Sequence, residues 1–102
     1  MPYVSQEARN KYEDAIQEMV DLLVSTVDEN AAKGEINYII CSTIARYIQE
    51  KGIRYHRLND FVGVLNICFA ELYRRIVAPY EDSAIEKNGD IPAFLYFLKG
   101  GK

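Results

Sequence analysis

Histidine occurs once in these 102 residues, cysteine twice and proline three times, and the six glycines are scattered apart from the pair Gly100-Gly101. One histidine and no C-x-x-C pair leave no zinc ligand set. A di-iron bundle site needs Glu-x-x-His on two helices, and none is present. No nucleophile, histidine and acid can be assembled, and no glycine-rich phosphate loop occurs. No metal or other cofactor is therefore expected, and binding is expected in place of catalysis. His56, between Tyr55 and Arg57, reads as a solvated loop residue. Cys41 and Cys68 each sit in an apolar helical run and are expected to be buried free thiols in a reducing compartment.

Long apolar runs are missing too. Nothing approaches the ~20 residues of a membrane span, and the start, MPYVSQEARNKYED, is polar and unlike a signal peptide. A cytoplasmic location is expected. The net charge of −3 argues against a sequence-independent grip on a nucleic-acid backbone, which wants a basic surface. A mildly acidic chain can still hold one arginine cluster, and Arg54, Arg57, Arg74 and Arg75 lie in its middle and C-terminal half.

What is present is helical periodicity. Ser5 can cap a first helix over about 5–30, striped by Tyr12, Ile16, Met19 and Leu23. Lys33-Gly34 is expected to end or link it. A second helix, about 35–51, carries Ile36, Ile40, Ile44 and Ile48, and Gly52 is its stop. A third, about 58–77, carries Phe61, Leu65, Cys68, Leu72 and Ile76, with a small and polar line through Asn59 and Gly63. A glycine in mid-helix costs up to ~1 kcal/mol relative to alanine, and it allows close approach of a neighbour or a ligand.

Ala78 precedes Pro79, so a break is expected there, with Pro79 opening a short helix that Asn88-Gly89 stops. A further short helix or extended arm starts at Pro92. The expectation is one all-α domain over 1–102. It is a small helical bundle of three main helices plus one or two short C-terminal ones, with 91–102 as a docking arm. A domain this small, rich in tyrosine, gains core by pairing, so a homo-oligomer is expected.

The densest chemistry lies in ELYRRIVAPYEDSAIEKNGD, Glu71 to Asp90. Glu71, Arg74 and Arg75 stand at helical pairing distance. In the bland reading this is a surface salt bridge of little value. In the functional reading Glu71 holds one arginine rigid, and the guanidinium fork meets a phosphate or carboxylate. Tyr73 and Tyr80, with Tyr38, would stack on a base or sugar. Asn59, Glu81 and Asp82 would read hydroxyl or base edges, or Glu81 and Asp82 would pair with arginines of a neighbouring subunit. Gly63 would serve as structural support beside Glu71. Glu35, Asn37 and Tyr38 open the second helix, where an anion could sit against Glu35 only if it also carried hydroxyl groups.

Several of these segments resemble one family of small uncharacterised proteins from phages and prokaryotes. They are Gly34-Glu35-Ile36-Asn37-Tyr38, Asn59-Asp60-x-x-Gly63, Glu71-Leu72-Tyr73-Arg74-Arg75, Pro79-Tyr80-Glu81-Asp82 and Asn88-Gly89-Asp90. The resemblance covers about Tyr3 to Asp90 and carries no established activity. Its phage setting implies an analogy with small phage proteins that sequester nucleotide-type immune signals, working in the host cytoplasm.

The leading expectation is non-enzymatic binding or sequestration of a small phosphorylated, nucleotide-like ligand, with Arg74 and Arg75 at the phosphates. The rival is a protein-interaction module, an inhibitor or assembly factor. A third reading is an all-helical nucleotide pyrophosphatase. Glu18-x-x-Asp21 resembles one of that class's two acidic motifs, but the second is missing because Arg74 stands three residues after Glu71.

Overall fold

A computed structural model describes residues 2–101. Met1 and Lys102, the end residues of the expected domain and of the C-terminal arm, lie outside the described residues. The all-α expectation holds. The elements are α1 (Gln6–Asn10), α2 (Glu13–Val24), α3 (Glu29–Lys51), α4 (Tyr55–Leu72), a π-helical turn (Tyr73–Val77), α5 (Ala78–Asn88) and α6 (Pro92–Leu98). They fall into two units, the first ending at Leu65 and the second beginning at Asn66, inside α4.

In the first unit, Ser5 caps α1 as its sequence implies, its Oγ accepting the Ala8 amide at 3.2 Å. The single first helix expected over 5–30 is divided. A break at Lys11–Tyr12 separates α1 from α2, and α2 ends at Val24. There the Thr26 amide donates to the Leu23 carbonyl, three residues back, which tightens the last turn. The Asp28 carboxylate then accepts the Asn30 amide at 3.0 Å, so α3 starts six residues before the expected 35 and runs through Gly34. A good N-cap offsets the cost of one interior glycine.

Gly52, at φ 96°, ends α3 as expected. Arg57 reinforces the stop, its Nη1 donating to the carbonyls of Lys51 (2.6 Å) and Gly52 (2.8 Å). Cations satisfy orphan carbonyls at helix C-termini in this way. Tyr47 and Phe61 meet edge to face, their centroids 5.3 Å apart.

In the second unit, α4 continues without a break into the π turn and α5. The break expected at Ala78-Pro79 is absent. The Ala78 amide donates to the Tyr73 carbonyl, five residues back. Pro79 has no amide to donate, and its ring crowds the carbonyl four residues before it. A wider turn just ahead of the proline relieves that crowding, so the helix survives. Gly89, at φ 88°, ends α5 as expected, and α6 begins at Pro92 as expected.

The apolar stripes have the predicted spacing, but most of their area is uncovered. Ile48 is the one buried side chain among the described residues. Cys41 and Cys68 are exposed, which corrects the expectation of buried thiols. They do lie on apolar helical faces, but among the described residues each face is left open within its own unit. Among the described residues no helix is long and apolar enough to cross a membrane.

Candidate functional site

The second unit holds most of the expected site. Glu71 ends one turn of α4, and Arg74 follows it by three residues onto the π turn. The two meet as a planar fork: Arg74 Nε donates to one Glu71 oxygen at 3.1 Å, and Nη2 donates to the other at 3.0 Å. The Arg74 side chain remains 63% exposed against 24% for Glu71. The carboxylate is thus the anchored member, and it holds an arginine that still faces solvent. This is the bidentate geometry that fixes a guanidinium's orientation.

The side chain of Arg75, the next residue, forms no ion pair or hydrogen bond among the described residues. It sits in the same π turn, where the backbone departs from α-geometry. Two guanidiniums therefore leave adjacent positions, one braced and one open.

Tyr73 is engaged on both sides. Its hydroxyl donates to Glu81 at 3.3 Å, and its ring stacks on Phe69 with centroids 6.2 Å apart and planes 29° from parallel. The Glu81 charge, helped by the hydrogen bond to it and by Asp82, pushes the phenol pKa above its usual 10.0. The potential at the Tyr73 hydroxyl is therefore negative. Asp82 makes no hydrogen bond or ion pair of its own among the described residues.

Tyr80 is 77% exposed. With Ser83, Ala84, Lys87 and Asn88 it lines a shallow groove of about 300 Å³. Sequence reasoning did not single out Ser83 or Lys87. The available signal was helical spacing, since they follow Tyr80 by three and seven residues and so share its face.

The remaining expected residues, Tyr38 on α3 and Asn59 and Gly63 on α4, belong to the first unit. Tyr38 is exposed. A methyl group added at Gly63 would meet no neighbouring atom within 4 Å, so no close approach explains that glycine within the chain. The anion reading of Glu35-Asn37-Tyr38 loses its basis. These residues lie inside α3 and not at its N-terminus, and Glu35 accepts the Thr26 hydroxyl at 2.9 Å. His56 stands in the first turn of α4 and not in a loop.

Glu18 lines two surface depressions, one with Met19, Leu22 and Ile39 and one with Asp21 and Ser25. Among the described residues no three His, Cys, Asp or Glu side chains gather as a metal site would require.

A family model described as a domain of unknown function, DUF6899, matches residues 1–91. The chain belongs to the DUF6899 family. The match takes in both arginines, the π turn and α5, and it stops at the residue before α6. No curated protein and no solved structure matches this DUF6899 chain.

Proposed function

We propose that this DUF6899 protein is a non-enzymatic binding protein for a small phosphorylated, nucleotide-like ligand. The observation that carries the reading is the contrast between adjacent arginines, Arg74 forked on Glu71 and Arg75 with no side-chain partner among the described residues. A pre-oriented guanidinium loses little freedom when it meets a phosphate. The π turn that presents both arginines is a backbone form found frequently at functional sites. Tyr80 and Lys87, on the groove along α5, offer a ring face and a further cation. In the phage setting implied by the family resemblance, such binding sequesters a nucleotide immune signal in the host cytoplasm.

The test is thermal unfolding with a panel of nucleotides and cyclic nucleotides, comparing the unmodified chain with Arg75→Gln. A shift that Arg75→Gln abolishes supports the reading. No shift with any nucleotide defeats it.

A second reading, a protein-interaction module, is favoured by a different observation. Large apolar side chains such as Phe69, Leu72, Ile76, Phe97 and Leu98 are all more than half exposed. Large apolar side chains left exposed in number mark candidate interaction surfaces. A pull-down that recovers one stoichiometric partner, with no nucleotide-dependent change in stability, would favour this second reading.

A further inference from the structure

The second unit has 37 residues and, among those described, no disulfide and no buried side chain. Units below about 40 residues usually need disulfides, metals or oligomerisation to hold together. The accessible surface points the same way. The chain exposes 9226 Å², whereas two separately compact bodies of these sizes, touching nowhere, would expose roughly 7,000 Å² by the mass scaling of folded proteins. About 2,000 Å² is thus unaccounted for over the two units together, and two copies that buried it on pairing would reach the range of obligate homodimers.

The face left uncovered in this unit has a pattern. Leu72, Ile76 and Tyr80 are 59%, 63% and 77% exposed. On an unbroken α-helix the eight residues from Leu72 to Tyr80 would turn the second about 80° away from the first. The extra residue in the π turn takes back about one residue's rotation, roughly 100°, and returns Tyr80 to within about 20° of Leu72. The π turn therefore aligns a stripe that the proline would otherwise disperse. The stripe is symmetric about Ile76, with an apolar or aromatic side chain four residues to either side. Self-complementary patches of this kind suit a two-fold interface.

We propose that a second copy of the chain packs antiparallel on this stripe with the two-fold axis at Ile76. Leu72 of each copy then faces Tyr80 of the other, and the two Ile76 side chains meet. Arg75 lies on one edge of the stripe, and a two-fold of this kind brings equivalent edges together. The two Arg75 guanidiniums, each without a partner among the described residues of its own chain, converge on the same side of the axis. Their mutual repulsion is relieved when a phosphate-type dianion lies between them, so the ligand site is shared by the two copies and is incomplete in one. This deepens the ligand reading above, on which the anion step rests.

The test begins with cross-linking of the full chain, which reads the pairing without any ligand. Ile76→Cys in a Cys41→Ser, Cys68→Ser background should form an intermolecular disulfide on mild oxidation, because residues at the axis face themselves. Glu81→Cys in the same background should not, because it lies five residues from the axis residue, and antiparallel pairing holds its two copies roughly 15 Å apart along the helices. Sedimentation velocity should show a dimer that inorganic pyrophosphate tightens on the order of tenfold. Arg75→Gln should pair without pyrophosphate and lose that response. A chain that stays monomeric to high micromolar concentration, or that cross-links through residue 81 and not 76, overturns the interface. Efficient cross-linking at 76 with no response to pyrophosphate overturns the shared anion site.

Discussion

The amide of Ala78 donates to the carbonyl of Tyr73, five residues back and not four. That displacement carries one helix past Pro79, places Arg74 and Arg75 together in a widened turn, and aligns Tyr80 with Leu72. The consequences reach from backbone geometry to the candidate site.

Pro79→Ala removes the cause of the wide turn. The helix should relax to regular α-geometry and gain stability, since an interior proline costs ~3 kcal/mol or more in an unrelieved α-helix. The face beyond it should rotate by about one residue, roughly 100°. Far-UV circular dichroism should show helix retained, while sedimentation should show self-association weakened. A variant that pairs as tightly as the parent would show that the π turn does not set the stripe.

Glu71→Ala separates bracing from stability. The Arg74–Glu71 pair is largely solvent-facing on the arginine side, so chemical denaturation should show a loss under about 1 kcal/mol. Nucleotide binding should weaken by more than that loss accounts for, because the freed Arg74 must be ordered on binding. Equal affinity in parent and variant would reduce Glu71 to an ordinary surface partner.

Tyr73 supplies a pH signature. Its folded pKa is raised above 10.0 by the Glu81 charge first, then by the hydrogen bond to Glu81, slight desolvation and Asp82. A raised folded pKa means that its stabilising contribution is present below the unfolded value near 10.0. That contribution is lost as pH rises through the folded value. The absorbance titration at 295 nm, taken as the difference between parent and Tyr73→Phe, should show a phenol titrating above 10.0. Glu81→Gln should move it downward. An unchanged titration in Glu81→Gln would disprove the Glu81 effect.

Ile48→Ala probes the one buried side chain. Truncating a buried isoleucine to alanine costs about 2–5 kcal/mol, and with so few other buried residues the first unit should lose its cooperative transition. Thermal unfolding followed by circular dichroism checks this. A shift comparable to that of an exposed Ile36→Ala would mean that Ile48 anchors nothing.

Much of the fold was legible in the sequence because its signals are local. Ser5 as a cap, Gly52 and Gly89 as stops and Pro92 as a helix start each depend on one or two neighbouring residues, and each is found in place. Gly34 and Pro79 were misread for the complementary reason. Both are breakers by propensity, and both were overridden by something outside the residue itself, the Asp28 cap and the π turn. The three- and four-residue spacing located apolar faces but could not say what covers them, so Cys41 and Cys68 were expected inside and lie outside. At the candidate site, spacing was enough to find the Glu71–Arg74 fork. The Tyr73–Glu81 bond, eight residues apart, depends on the extra residue of the π turn and had no sequence signal.

The central claim is that the open arginine of the π turn receives a phosphorylated ligand. Thermal unfolding of the full chain with nucleotides and cyclic nucleotides tests it most directly. A ligand at 100 times its dissociation constant should stabilise the folded state by about 2.7 kcal/mol, and Arg75→Gln should erase the shift while keeping the same helix content. An unmoved melting transition across the whole panel, or an equal shift in Arg75→Gln, would contradict the claim.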